Sequence, residues 1–358
     1  MMPDLNHTNI TSGYNGTYQF YQTEQLVYLS TVFVMIVVGN TLVLVAIVLS
    51  GKRRSRMNFF MINLVCADLS VGWLFVLTDI IWKVTIVWYA GNVGCKLVKF
   101  SQGLATFGAT YALVALSIDR LDVIARPLSM IGVDRRCRLV AGLGWMFAAL
   151  FSLPMMFMYK QTIVGGVPQC WMELEKVWQW RLYFTLVAIA VFILPAMIIG
   201  TCYAVIVVLI WRKSSLRFDV SSNPSSCKSK HHGDQNGKIT VRFATRQPDR
   251  KHIIEGGSSS RGVIPRAKIK TIKMTFTIVL AFIFCWSPYV IYDLLDVYGH
   301  IPKTPESYAT ATFVQSLAPL NSAANPIIYS LFNAAMCTSI FKRRRHSSFN
   351  SATMASQL

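Results

Sequence analysis

Seven long apolar runs divide the chain, at 27 to 50, 58 to 82, 95 to 124, 138 to 158, 182 to 211, 270 to 298 and 307 to 331. A hydrocarbon core about 30 Å thick takes roughly 20 apolar residues of helix, so each run is long enough to cross a membrane. The pattern predicts an all-α membrane protein, a bundle of seven spanning helices over 27–331. A polar tail, 1–26, precedes it, and a short interfacial helix with a second tail, 332–358, follows. Residues 213–264 are rich in Ser, Gly, Lys and Arg with few large apolar side chains, so they predict a flexible loop between the fifth and sixth spans. No internal repeat or second globular domain is visible.

Composition agrees: of 358 residues 53% are hydrophobic and only 14% charged, which excludes an ordinary soluble domain. The formal charge of +19 would suit nucleic acid if it formed one patch. It does not. Residues 1 to 51 hold no Lys or Arg, and 27 of the 35 fall at 52–56, 126–138, 212–273 and 342–345, alternate ends of the spans. By the positive-inside rule those segments are cytoplasmic, the N-terminus is extracellular and the C-terminus is cytoplasmic, in a multi-pass plasma-membrane protein without a nucleic-acid partner. Three glycosylation sequons, at Asn6, Asn9 and Asn15, lie in the tail that this orientation puts outside. Arg343 to Arg345 suit contact with anionic lipid.

Chemistry enters at a few positions. Cys95 and Cys170 lie on the oxidising side, where a bridge between the third span and the following outer loop is permitted; two free thiols are the alternative. Cys66, Cys202 and Cys285 fall within spans and are expected as small core residues. Asp119-Arg120 lies 25 residues beyond Cys95, about 37 Å along a helix, and so reaches the inner surface, as a charge switch or a snorkelling anchor. Asp68 stands near the middle of the second span and needs neutralising, either in a polar knot with Asn40, Asn321 and Asn325 or by a cation such as sodium. Pro288 and Pro326 predict kinks in the sixth and seventh spans. In the outer turns, Asp79, Lys83, Lys99, Gln102, Asp293 and Asp296 fall at one depth, which suggests a wet pocket open to the outside. Alternatively, Asp79 and Lys83, at i and i+4, pair with each other.

In order along the chain, Gly39-Asn40, Leu64, Asp68, Cys95, Asp119-Arg120, Trp145, Pro195, Tyr203, Cys285-Trp286, Pro288 and Asn325-Pro326 with Tyr329 resemble the motifs of rhodopsin-like (class A) G-protein-coupled receptors. Trp88-Tyr-Ala-Gly-Asn92, Val167-Pro-Gln-Cys170-Trp171, Gly262 to Thr271 and Gln315 to Ser322 look like those of arthropod crustacean cardioactive peptide receptors, which group with the vasopressin, oxytocin and neuropeptide S receptors. The resemblance implies a small amidated, disulfide-closed neuropeptide as agonist and a heterotrimeric G protein as partner, with arrestin and receptor kinases after activation. It implies no enzymatic activity and no cofactor. Peptide contact is implied at Asp79, Lys83, Lys99, Gln102 and Asp293, with Trp286 and Tyr289 beneath. Asp68, Asp119, Arg120, Tyr203, Trp286, Pro288, Asn321, Asn325, Pro326 and Tyr329 are implied as the activation switch. Leu121 stands where the family usually has Tyr, and Ala109 replaces a usual Ser beside the Asp68 site, which weakens the case for sodium. Lys268 stands where some relatives have an acid, so no salt bridge from Arg120 to the sixth span is expected.

Rival readings meet single-residue objections. A transporter predicts inverted repeats or helices broken at midplane, and the sequence gives neither. A membrane hydrolase would want metal-binding histidines, but all six, at 7, 231, 232, 252, 300 and 346, lie outside the spans. Light sensing needs a Lys in the seventh span, which has none, and an amine receptor an acid where Gln102 stands.

Overall fold

The computed structural model describes residues 14–50, 55–126, 132–164, 166–221, 266–302 and 304–332. Helix α1 runs Tyr14–Leu49, and α2 comprises Arg56–Ser70, a π-helical stretch Val71–Val76 and Leu77–Thr85. Helix α3 is Gly91–Ala125 and α4 is Val133–Ser152, extended past Pro154 by the turn Met155–Met158. Helix α5 comprises Val177–Ala188, a π-helical stretch Ile189–Ile193 and Leu194–Ser221. Helix α6 is Arg266–Val297, and α7 is Pro305–Leu317 followed by Leu320–Phe332.

The apolar runs thus become helices, each longer than its run because polar turns extend it at the ends. Asn15 falls inside α1, whereas Asn6 and Asn9 lie outside the described residues, as do 222–265 and everything after Phe332. Among the described helices, those within 23–49, 56–85, 133–158, 177–212 and 270–297 are apolar enough to cross a membrane by composition alone. Helix α3 is more polar for a physical reason: it packs on α2, α4, α5 and α6. From Phe107 to Ser117 its side chains are buried without interruption, so neighbouring helices rather than acyl chains surround them. Helices α1 and α4 instead expose apolar side chains such as Val34, Leu42, Leu139 and Leu150.

The loop between α4 and α5 adds one element to the helical bundle: strands β1 (Tyr159–Val164) and β2 (Val167–Met172) form an antiparallel hairpin, with Gln161 opposite Cys170. Its tight return places Gly166 at φ +85°, where a side chain would be strained. The seventh span is broken, between Leu317 and Leu320. Pro319 has no N–H to continue the ladder, and Ser322 N instead bonds Pro319 O at 3.1 Å. The thiols divide as well: Cys202 is buried and Cys285 half-buried, but Cys66 is exposed and is not a core residue.

Pro195 similarly follows the π-helical stretch of α5, because a residue without an N–H releases a carbonyl one turn back. At that stretch Tyr111 of α3 donates its hydroxyl to Ala190 O at 3.0 Å and so fastens α3 to α5. Trp145 of α4 donates from Nε1 to Asn63 Oδ1 of α2 at 3.0 Å. Helix α1 meets α7 at Gly39, where an added Cβ would lie 2.9 Å from Pro326 Cβ. Gly39→Ala is therefore expected to push α1 off the Pro326 turn and cost about 1–3 kcal/mol. A lower thermal midpoint of the detergent-purified protein, with Gly142→Ala, which meets open space, as control, checks this.

Candidate functional site

The hairpin covers one end of the bundle and is tied down at several points. A disulfide joins Cys95 in the first turns of α3 to Cys170 of β2. Trp88 N donates to Pro168 O at 2.9 Å, Trp82 Nε1 to Gln169 Oε1 at 2.9 Å, and Gln161 N to Asn92 Oδ1 at 3.1 Å. Ile86, at the end of α2, has φ +61°, a conformation that a β-branched residue rarely adopts. The Gln169 amide holds it there by donating to Ile86 O at 2.5 Å. The Trp88-to-Asn92 and Val167-to-Trp171 segments, remote in sequence, thus form one plug with the two cysteines.

Under the plug lies a cavity of about 340 Å³ between α2, α3, α5, α6 and α7, adjoined toward α6 by one of about 270 Å³. Asp79, Lys83, Lys99, Gln102, Trp286 and Tyr289 line the first; Lys99, Asp293 and Asp296 line the second. All the residues expected at the pocket therefore converge here. Gln102 Nε2 donates to Thr78 Oγ1 at 2.8 Å while its Oε1 accepts from Lys99 Nζ at 3.0 Å, so one amide orients α2, α3 and the lysine. The ammonium also lies 4.6 Å from the Trp82 ring centre and 5.4 Å from that of Tyr159, distances that suit cation–π attraction. Burial, and secondarily the Asp293 carboxylate, pushes the Tyr159 phenol up to about 12, so at neutral pH it stays an uncharged ring beside the lysine. Lys83 Nζ donates to Gln25 Oε1 of α1 at 3.3 Å, and Asp293 Oδ1 accepts from Gln315 Nε2 of α7 at 3.4 Å.

Trp286 forms the floor, buried and edge-on to Tyr289 at 5.6 Å, with Phe282 and then Phe192 of α5 packed below at tilted angles. Deeper still, Asn325 Nδ2 donates to Asp68 Oδ2 at 2.8 Å, and Asn40 Nδ2 donates to Ser322 O at 3.1 Å. Of the polar groups expected around Asp68, Asn325 thus bonds it directly, while Asn40 ties α1 to the α7 backbone. Asp68 Oδ1 and the amide oxygens of Asn40, Asn321 and Asn325 have no donor among the described residues. Such buried acceptors call for water or a monovalent cation.

At the far end Arg120 donates to Asp119, the neighbouring carboxylate, which also accepts from Arg56 of α2. Tyr203 and Tyr329, the expected companions of Arg120, are both buried, Tyr203 packing against Phe276 of α6 at 5.5 Å. Of Lys268 only the backbone within α6 is described, and 127–131 lie outside the described residues.

A helical bundle with a polar cavity at one end and a buried Asp–Arg pair at the other has a match in sequence. The model of the seven-transmembrane receptors (rhodopsin family) matches residues 39–329. The chain belongs to the rhodopsin family of seven-transmembrane receptors. It is a multi-pass membrane receptor and not an enzyme. Among its relatives, the mouse neuropeptide S receptor is 34% identical over 330 residues, 92% of this chain and 82% of that one. The human vasopressin V1b receptor is 32% identical over 335 residues, 92% and 77% of the two chains. The mesotocin receptor of Rhinella marina is 34% identical over 305 residues, 85% and 72%.

Several groups that build the receptor's cavity carry no sequence signal of their own. Gln25, Thr78, Trp82 and Tyr159 are ordinary residues until the bundle places them against Lys83, Gln102 and Lys99. Gln315 lies in a segment that resembles the peptide receptors, yet only the fold sets it against Asp293. In the sequence Arg56 is one of the basic residues that mark topology, and only the fold brings it to Asp119.

Proposed function

We propose that the receptor binds a small amidated peptide closed by a disulfide, crustacean cardioactive peptide being the best candidate, in the cavity under the hairpin, and that binding opens a G-protein site at the Arg120 end. The observation that carries this reading is the convergence of Asp79, Lys83, Lys99, Gln102, Asp293 and Asp296 on adjoining cavities beneath a disulfide-tied hairpin. Relatives named for neuropeptide S, vasopressin and mesotocin support a peptide ligand, and the distribution of Lys and Arg along the sequence supports a cavity that opens to the outside of the cell. A peptide of the neuropeptide S or vasopressin kind is the second reading, favoured by the 34% identity to the neuropeptide S receptor.

In mechanism, the agonist must bind the active arrangement better than the resting one, since only differential affinity shifts an equilibrium. Pressure on Trp286 passes to Phe282 and Phe192, and the turn at Pro288 lets the inner end of α6 swing out. Arg120, Tyr203 and Tyr329 then rearrange to admit the G protein. Receptor kinases and arrestin would act on Ser347, Ser348, Ser351 and Thr353 of the tail. The mechanism needs no sodium ion: Asp68 and the amide oxygens could hold one, but Ala109 offers no oxygen and water can serve the same acceptors.

Calcium and cyclic AMP responses of transfected cells to a panel of cyclic amidated peptides, with crustacean cardioactive peptide, vasopressin and linear neuropeptide S among them, test the assignment. A response to the first at the lowest concentration, weakened by Gln102→Ala and Asp293→Asn, is expected. Silence to the whole panel would remove the ligand assignment. Coupling is reciprocal, so unchanged peptide affinity with and without G protein would remove the mechanism.

A further inference from the structure

We propose that Arg56, anchored by Asp122, is a positioning residue that holds the Asp119 carboxylate on Arg120 and so restrains the receptor without ligand. The proposal rests on the reading of Arg120 as the inner switch. Asp119 and Asp122 stand at i and i+3, on one face of α3, where like charges repel. A cation between them removes the conflict, and Arg56 supplies it from the first turn of α2. Its guanidinium reaches Asp119 Oδ1 through Nε and Asp122 Oδ2 through NH2 at 2.6 Å. Asp119 Oδ2 is left for Arg120. Each oxygen of the inner carboxylate therefore has its own arginine, and the two cations do not compete for one atom.

Burial gives this division its consequence. The Asp119 side chain is fully buried, whereas those of Arg56 and Asp122 are each 23% exposed. A buried carboxylate oxygen without its cation is strongly disfavoured, so loss of Arg56 drives Asp119 out of the position in which it meets Arg120. Asp122 holds Arg56 from outside through Nη2 while Nε serves Asp119, so the guanidinium bridges the two carboxylates with two nitrogens, a spread that a lysine ammonium cannot copy. Arg126, 3.9 Å from Asp122, and Arg136 of α4, 3.8 Å away, complete the rim and tie the starts of α2 and α4 to the end of α3. Arg120 is thus held by an assembly spanning three helices, with no bond to α6 needed, which bears on a chain that has Lys268 where some relatives have an acid.

The test needs no agonist. Membranes with matched amounts of the full-length receptor, quantified through an N-terminal tag, are mixed with each class of purified G protein, and nucleotide exchange is measured. Asp122→Asn and Arg56→Gln are each expected to raise basal exchange at least about fivefold, the low end of coupling between sites. The double variant should exceed neither single one by much, because both break one contact. Asp122→Glu should stay near the parent, and adding Arg120→Ala to Asp122→Asn should return exchange to baseline. Unchanged or lower exchange in Asp122→Asn and Arg56→Gln would overturn the proposal, a decrease meaning that Arg56 competes with Arg120 for Asp119. Raised exchange that Arg120→Ala does not reverse would instead sink the reading of Arg120 as the switch, and the positioning role with it.

Discussion

Cys170→Ser is expected to abolish the response to peptide, even in receptor that still reaches the cell surface. Cys170, Trp171 and Met172 of β2 form the roof of the cavity on its α6 side, so the position of the strand is part of the binding site. Without the disulfide, four hydrogen bonds from the hairpin to Trp88, Trp82, Ile86 and Asn92 remain. Each contributes about 0.5–1.5 kcal/mol net, and three of them engage backbone groups that water serves nearly as well. The cross-link closes 75 residues of chain, a loop for which about 2–4 kcal/mol is typical. The hairpin should therefore leave its seat, with both Trp88 and the end of α2 released. Cys95→Ser should behave identically, and the double variant should be no worse than either single one. Concentration–response curves normalised to surface epitope check this; a full response from either single variant would mean that hydrogen bonding alone seats the roof.

Lys99→Ala should weaken peptide binding by about ten- to a hundredfold, because a hydrogen bond to a charged group is worth about 1.5–3 kcal/mol. Lys99 faces both cavities. Its neighbours are an amide oxygen and two aromatic rings, and among the described residues no carboxylate oxygen lies within 4 Å of the ammonium. An ammonium partly desolvated and without a close carboxylate attracts a carbonyl or carboxylate from the ligand. Lys99→Gln removes the charge while keeping a polar group and should lose most of the affinity. Lys99→Arg keeps the charge but spreads it over a planar fork in place of a compact ammonium and should recover only part. Competition binding at equilibrium separates these from effects on signalling, and an unchanged Kd in Lys99→Ala would place the peptide elsewhere.

The spanning helices are legible in the apolar runs alone, because the length of a run is read against a fixed membrane thickness and needs no tertiary contact. The sequence also located the charged residues that a membrane tolerates only for a reason, Asp68, Asp119 and Arg120, and the outer residues that converge on the cavity. Tertiary structure decided what those residues touch. The pairing of Asp119 with Arg56 crosses 63 positions and that of Asn325 with Asp68 crosses 257. Helical periodicity fixes the face on which a side chain lies, but not the neighbour that the face meets. The hairpin was hidden because a six-residue strand with mixed burial has no clear alternation. The break at Pro319 was hidden because a proline in a span either kinks or interrupts it, and packing against the neighbouring helices chooses between the two.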